Sequence, residues 1–289
     1  MLSAIRTKSS IMFQTQNYYY VEYLGDAGIT LSCLQSLCKT LQTHSDLTTA
    51  LLLTNDQVHA FLLKDDSGTY YVIRSGFTSG YLGEGPKGLA TALTLLNKHT
   101  IETEEILITP KMMNKLNNSS LNDNDIDLIF KGKIIRPLRL HDYIYPFRKE
   151  VLDTYSSKHH YPLELPYSII DDRIFDLALV FKQDPDSALT KAYKRLEDIV
   201  RERTSLNEHS TKLFSQAFNM SNAPLTWLVP DKSEVVGRAN LFLGTYQAFR
   251  NARTHREKLE ENLIHQYREF LLINELYLLE AEAITIESK

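Results

Sequence analysis

A short basic segment near the C-terminal end carries the side chains best suited to phosphate and proton-transfer chemistry. Residues 250–257 include Arg250, Asn251, Arg253, His255 and Arg256. Guanidinium groups bind phosphate through two parallel hydrogen bonds. An imidazole that titrates near neutral pH can move a proton to and from a ribose hydroxyl. Arginine and histidine together, without a set of metal ligands, are what RNA cleavage by internal transesterification requires.

The surroundings of this basic segment allow two interpretations. It lies between two apolar helical runs, Leu241–Phe249 and a long segment that ends near Ile286. Burying these polar groups without partners would be costly, so the segment is expected at a surface cleft or an interface. The alternative is an ordinary solvated helix end, because an arginine followed five positions later by a histidine is a frequent match.

Composition sets limits on the class of protein. The chain has 289 residues, enough for two domains, with 43% hydrophobic and 24% charged residues, as in ordinary globular proteins. A net charge of −4 argues against non-specific coating of nucleic acid but allows a local basic site. Two cysteines, Cys33 and Cys38, do not form a disulfide framework. No long apolar window predicts a membrane span, and we expect a cytoplasmic protein.

The first half of the chain alternates strand-like and helix-like segments, which predicts a mixed α+β domain over residues 1–150. A helix is predicted over Leu31–Leu47, and another follows Pro86. The predicted strands are Tyr18–Leu24, Ala50–Leu53, Val58–Leu63, Thr69–Ile73, Glu105–Ile108, Ile126–Phe130 and Lys133–Ile135. This domain is a candidate sensor or regulatory module.

A glycine-rich turn lies between the fourth of these strands and the following helix. Gly83, Gly85 and Gly88 match the pattern G-x-G-x-x-G in the strand–turn–helix context that dinucleotide binding requires. However, Glu84 would face an incoming phosphate, and Pro86 removes an amide donor. The pattern therefore favours a structural turn, with a nucleotide-like ligand as the alternative.

The remainder of the chain becomes helical after a connecting segment, residues 151–174, that contains several prolines. Helices are predicted over Ser187–Thr204, Lys212–Phe218, Glu234–Phe249 and Glu257–Ile284. The charged residues of the first of these helices, Glu197 among them, are expected to form a solvated, salt-bridged face. Adjacent His159 and His160 should point apart, and no metal site is predicted. We expect an all-α domain over residues 175–289.

Several blocks of this helical half resemble the Ymh-type family. They are residues 192–204, residues 212–218 and residues 241–257. The Ymh-type domain belongs to the HEPN superfamily of small helical ribonucleases. Its hallmark is an arginine, a polar residue, about three variable residues and a histidine, and Arg250, Asn251 and His255 match it. Ala252 stands where relatives often carry proline. The resemblance covers about residues 175–285 and implies a HEPN-like helical bundle.

The resemblance also implies a mechanism. HEPN ribonucleases act as dimers in which two Arg/His motifs face each other, so it implies a homodimer with an RNA substrate and no metal or other cofactor. His255 would act on the ribose 2′-hydroxyl or the leaving oxygen, and Arg250 would stabilise the phosphorane-like charge. Asn251 would position the motif or the phosphate. Arg253 and Arg256 are candidates for RNA backbone contacts, or for a solvated surface.

Domains of this kind recur in toxin and abortive-infection systems. The leading expectation is therefore a metal-independent endoribonuclease in antiphage defence or a toxin system, controlled by the N-terminal domain and by an inhibitory or activating partner or ligand. One alternative is a non-catalytic HEPN-fold module for dimerisation or RNA binding. Another is a nucleotide-sensing regulator that acts through the turn from Gly83 to Gly88.

Overall fold

The computed structural model describes residues 19–151, 157–219, 222–250, 253 and 262–286, and the chain divides into two compact units. The first unit is residues 1–162 and the second is residues 163–289. The expected connection over residues 151–174 is therefore shared between the two units. Val151 packs against Phe147 in the first, whereas Ile170 and Ile174 belong to the core of the second.

The first unit is built on a mixed five-stranded sheet with the order β1-β4-β3-β2-β5. The two outer pairs, β1 with β4 and β2 with β5, are parallel, and the central pairs are antiparallel. The strands are β1 Val21–Leu24, β2 Leu47–Asn55, β3 Val58–Asp65, β4 Tyr70–Thr78 and β5 Glu102–Leu107. The apolar runs of the sequence form the central strands, which are buried on both faces.

Helices cover both faces of this sheet, because alternate residues of the strands point to opposite sides. Leu52 and Phe61 pack with the helices α1 and α2 on one face, and Leu51 and Leu62 pack with α3 and α4 on the other. The helices of this unit are α1 Thr30–Thr43, α2 Glu84–Lys98, α3 Pro110–Asn117, α4 Asp123–Phe130, α5 Leu140–Ile144 and α6 Arg148–Val151.

Two predicted strands of this unit are wrong. The segment Ile126–Phe130 lies in α4, which begins with a capping box between Asn122 and Asp125. The short apolar run Ile126–Phe130 is typical of a strand, but the capping box formed by Asn122 and Asp125 starts a helix just before it. Lys133–Ile135 forms only an isolated bridge, from Ile134 to Ile106.

The second unit is helical, with a small two-stranded pairing as its only described sheet. Its helices are α7 Phe175–Val180, α8 Pro185–Thr204, α9 Ser210–Phe214, α10 Lys232–Thr245 and α11 Leu263–Glu282. β6 Leu225–Thr226 pairs with β7 Ile284–Thr285. The prediction of an α+β domain followed by a helical domain is confirmed. No described helix is long and apolar enough to cross a membrane.

Close packing at Gly76 fixes the contact between β4 and α1. A Cβ atom added at Gly76 would lie 2.5 Å from the Cys33 sulfur and 2.8 Å from the backbone oxygen of Ile29. In contrast, Gly237 in α10 has open space where a Cβ would stand. An alanine at Gly76 therefore tests the effect of crowding, whereas an alanine at Gly237 tests only the helix propensity of alanine.

Gly76→Ala is expected to lower the free energy of unfolding by about 1–3 kcal/mol, since backbone and sulfur atoms must move to admit the methyl group. Gly237→Ala should instead raise it by about 0.5–1 kcal/mol, because glycine weakens a helix interior. Urea unfolding followed by circular dichroism measures both. Equal stability of Gly76→Ala and the wild type would contradict the crowding at this contact.

Candidate functional site

Arg250 stands at the C-terminal end of α10, in a π-helical turn over Tyr246–Arg250. The helix starts at Asp231, whose side chain accepts a hydrogen bond from the amide of Ser233. Tyr246, in the same turn as Arg250, is fully buried and its hydroxyl donates to the backbone oxygen of Tyr193 in α8, at 2.8 Å. The end of α10 that carries Arg250 is therefore fixed against α8.

A buried carboxylate on α8 contacts Arg250. The Arg250 Nε lies 3.3 Å from Oε1 of Glu197, whose side chain is 4% exposed, whereas that of Arg250 is 26% exposed. Arg201 approaches the second oxygen, Oε2, at 3.4 Å. His209 Nδ1 lies 3.9 Å from the same oxygen. The carboxylate thus sets the position of the first residue of the Arg/His motif.

Burial of Glu197 corrects the prediction of a fully solvated face on this helix. Its neighbour Asp198 does lie on such a face, with a side chain 62% exposed and paired with Arg201. Glu197 follows Tyr193 by four residues and precedes Val200 by three, so it falls within the apolar stripe of α8. That spacing is the signal in the sequence that identifies it.

Arg253 has a different environment from the one expected of an RNA-binding residue. Its side chain is 4% exposed, and its Nε donates to Glu269 Oε1 at 2.9 Å. Its terminal nitrogens pair with Glu269 and Asp186. Tyr193 also donates to Glu269, at 3.1 Å. This arrangement favours a structural role for Arg253, in which it neutralises a buried carboxylate, in place of the expected backbone contact.

The other residues of the predicted site cannot be placed in the same way. Asn251, His255 and Arg256 lie outside the described residues. Their catalytic and RNA-binding roles therefore stay predictions from the motif and its spacing. Among the described residues, no group of three or more His, Cys, Asp or Glu side chains could hold a metal ion.

Tight packing accounts for two of the three glycines in the predicted ligand turn. A Cβ at Gly85 would lie 2.0 Å from Oγ1 of Thr78, and one at Gly88 would lie 2.2 Å from the side-chain methyl of Thr30. Gly83 has extended backbone and precedes α2. The glycines let α2 approach β4 and α1 closely, so packing explains Gly85 and Gly88 without a nucleotide.

A cleft of about 510 Å³ does adjoin the start of α2. Glu84, Lys87 and Gly88 line it, with His159 and His160 on another side. Lys87 forms an ion pair with Glu150 at 2.8 Å. The cleft is lined by two glutamates, Glu84 and Glu150, and by two lysines, Lys87 and Lys149, so its charge does not favour a phosphate group. Nucleotide binding at this turn stays an untested alternative.

The similarity to known proteins falls in the helical unit. Residues 177–276 match a family model described as "Protein of unknown function (Hypoth_ymh)". The helical unit matches the Ymh family. This confirms the resemblance found in the sequence, and the first unit has no part in it. The search of curated proteins gave no match.

One solved structure matches the chain weakly. A chain of "Respiratory complex I from Thermus thermophilus" is 16% identical, and the alignment covers 42% of this chain and 98% of that chain. The TM-score of this match is 0.35, which is too low to support a shared fold.

Arg253→Ala is expected to lower the free energy of unfolding by about 3–5 kcal/mol, because it leaves Glu269 buried without its partner. Arg238→Ala is the matched control, since Arg238 forms two surface ion pairs, with Glu234 and Glu282, and should cost at most about 1 kcal/mol. Circular dichroism in urea reports unfolding, because Arg238 lies over the Trp227 ring and the control variant would itself change tryptophan fluorescence. If Arg253→Ala unfolds like the control, its assigned structural role is wrong.

Glu197→Gln keeps the shape of the side chain but removes the charge that faces Arg250 and Arg201. We expect it to cost about 1–3 kcal/mol of stability, the usual penalty for a lost charged hydrogen bond in a buried setting. Asp198→Asn, at the adjacent exposed position, should change stability by less than about 1 kcal/mol. If both variants lose a similar amount of unfolding free energy in the same urea titration, the buried Glu197 contact contributes no more to stability than the exposed one.

Proposed function

We propose that this protein is a metal-independent endoribonuclease of HEPN type. Its site would form between two copies of the helical unit, each contributing Arg250, Asn251 and His255. The match of residues 177–276 to the Ymh family supports this proposal, because the Arg/His motif is the one expected of that family. The description of the family gives no activity. RNA as the substrate follows from the chemistry of the motif.

The observation that carries the proposal is the contact between Arg250 and Glu197. A catalytic arginine must hold its guanidinium in one orientation before the charge on phosphate develops, because reorganisation during the reaction costs rate. A buried carboxylate oxygen at 3.3 Å from Nε attracts the guanidinium as an ion pair, although this oxygen accepts no hydrogen bond from the described residues. The side chain keeps 26% exposure, so substrate can reach it. Glu197 is thus a positioning residue.

Cleavage would proceed by attack of a ribose 2′-hydroxyl on the adjacent phosphorus. His255 of one copy accepts the hydroxyl proton, and the 5′-oxygen leaves as the phosphorus–oxygen bond breaks. The second histidine returns a proton to that oxygen. Arg250 stabilises the added negative charge on the phosphoryl oxygens. The products are a 2′,3′-cyclic phosphate and a 5′-hydroxyl end.

The biological setting is proposed from the resemblance to toxin and abortive-infection domains. In that setting the α+β unit lowers the activity of the nuclease or senses a trigger, and a partner or ligand raises that activity above the basal rate of the free protein. Because the α+β unit is covalently joined to the helical unit, its effective concentration near the nuclease is high without a separate binding step. This supports control within the chain as the simplest arrangement.

Purified wild-type protein is expected to cut single-stranded RNA in the presence of EDTA and to leave 2′,3′-cyclic phosphate ends. Arg250→Ala and His255→Ala should each lower the rate by at least about 100-fold, a typical loss for a general base or an oxyanion donor. Arg238→Ala should leave the rate unchanged. Cleavage is measured on an end-labelled RNA and on the same RNA with a single 2′-deoxy substitution at the cut position.

Several outcomes would contradict this proposal. Loss of cleavage in EDTA, or equal rates for the wild type and both motif variants, would rule out the metal-independent Arg/His site. RNA that binds tightly and stays intact, also after removal of the first unit by limited proteolysis, would favour the non-catalytic HEPN-fold module. Cleavage of the 2′-deoxy substrate at the substituted position would exclude attack by the 2′-hydroxyl.

A further inference from the structure

A chain of polar side chains crosses the sheet of the first unit and ends at a serine beside a cavity. Ser79 Oγ lies 2.8 Å from Nε2 of His59. Nδ1 of the same ring lies 2.9 Å from Oγ1 of Thr54, which donates to Glu105 Oε1 at 2.6 Å. Thr54, His59 and Glu105 are fully buried. The sequence offers no motif for this set, because its members lie on different strands.

The direction of every proton along this chain follows from the chemistry of the groups. A carboxylate can only accept a hydrogen bond, so the Thr54 hydroxyl must donate its single proton to Glu105. The oxygen of Thr54 must then accept from Nδ1–H of His59. This leaves Nε2 as the acceptor for the hydroxyl proton of Ser79. A base that is oriented by a third group, and that accepts from a serine, is the arrangement that activates a nucleophile.

Glu105, at the other end of this hydrogen-bonded series, is held as a charged carboxylate. Arg139 donates two hydrogen bonds to Glu105, both at 2.9 Å, and Tyr143 donates a third at 2.8 Å. Burial alone would raise the pKa of the Glu105 carboxyl, but the hydrogen bonds from Arg139, Thr54 and Tyr143 outweigh it and lower the pKa below its ordinary value. Glu105 therefore stays an acceptor at neutral pH.

His59 is held in its neutral form. Burial is the main cause that lowers the pKa of its imidazole to about 4; the nearby Glu105 charge opposes this shift, and the Arg139 charge adds to it. The ring also meets the aromatic edge of Tyr143, with centroids 5.2 Å apart. Nε2 is therefore unprotonated at neutral pH and can accept the Ser79 proton. Burial makes the ring a weaker base than a free imidazole, and the Glu105 charge is the group that favours the imidazolium formed in that step.

Ser79 is placed where a substrate could reach it. It is partly exposed, in the turn between the end of β4 at Thr78 and the start of α2 at Glu84. It lines a cavity of about 320 Å³, which is at the small end of the range for ligand sites. The cavity is mainly apolar, with one charged side chain. Its apolar walls include Leu82, Leu89, Pro146 and Phe147, and Tyr143 and Asp142 also line it.

We propose that Ser79 and His59 form a second active site, in the α+β unit, that hydrolyses small carboxylic esters. A neutral, short-chain ester fits a small cavity with apolar walls. Asp142 on the rim disfavours anionic substrates. The proposal does not depend on the ribonuclease, since every residue in it lies within the first unit.

The reaction would run in two balanced steps. Ser79 Oγ bonds to the acyl carbon while its proton passes to His59 Nε2, and the ester oxygen then leaves as an alcohol with that proton. Water next attacks the acyl-serine and gives its proton to His59, which returns it to Oγ as the carboxylic acid is released. Gly80 and Tyr81, in the turn after Ser79, also line the cavity.

A fluorophosphonate probe tests this proposal directly, because it bonds to a serine only when a base activates the hydroxyl. The full-length folded protein is expected to gain one phosphonyl group, located on Ser79 by peptide mass spectrometry. Ser79→Ala should lose the label. His59→Gln should slow it at least about 100-fold. Ser75→Ala, at a buried serine in β4 that bonds Asn117, should label like the wild type.

Circular dichroism of each variant shows whether it remains folded. Where His59→Gln does not fold, the wild type in its native state and in 8 M urea gives the same information, since an activated serine reacts only in the native protein. Absence of a Ser79 adduct in the native wild type overturns the proposal. So does an unchanged labelling rate in folded His59→Gln, or equal labelling in urea. RNA cleavage by Ser79→Ala separates this result from the fate of the ribonuclease proposal.

Discussion

Buried carboxylates that hold arginines are the constraint on which the helical unit depends. Taking a carboxylate out of water costs several kcal/mol, and only a close cation with good geometry compensates that cost. Glu197, Glu269 and Glu280 are all buried, and each has an arginine in contact with it. The arginines are therefore located by the carboxylates, and two of them, Arg250 and Arg253, belong to the Arg/His motif.

This constraint separates two arginines that the sequence treats alike. Arg250 keeps a quarter of its side chain exposed and touches its carboxylate through Nε, whereas Arg253 is buried with both sides of its guanidinium engaged. The first arrangement orients a charge toward the surface. The second neutralises charge in the interior and ties the motif to α11. One segment thus combines a candidate catalytic group with the contact that holds the segment in place.

The α+β unit uses the same device for a different purpose. Glu105 is anchored by Arg139, and its second contact continues through Thr54 to His59 and Ser79. Because the carboxylate stays charged and can only accept, each proton has one direction: Thr54 donates to Glu105, His59 Nδ1 donates to Thr54, and Ser79 donates to His59 Nε2. The result is an ordered set of protons that crosses three strands. A neutral residue at Glu105 would leave those directions undefined.

Local patterning in the sequence determined most of the elements and the break into an α+β part and a helical part, and several sequence blocks carried the resemblance of the helical part to the Ymh family. Alternation and helical spacing are local properties, so β2, β3, β4 and α8 could be read from neighbouring residues. The apolar content of Ile126–Phe130 predicts a strand, whereas the capping residues Asn122 and Asp125 make this segment a helix. The Arg/His motif was visible because its members are close in sequence.

Only the tertiary structure decided which of these residues are buried and what they meet. Glu197 and Arg250 are far apart in the chain, as are Ser79 and Glu105, and no periodicity links them. The glycines of the turn before α2 matched a nucleotide motif by spacing, yet their use depends on how closely β4 and α1 approach. Contacts between distant segments set the pairing of charges, and desolvation makes that pairing decisive.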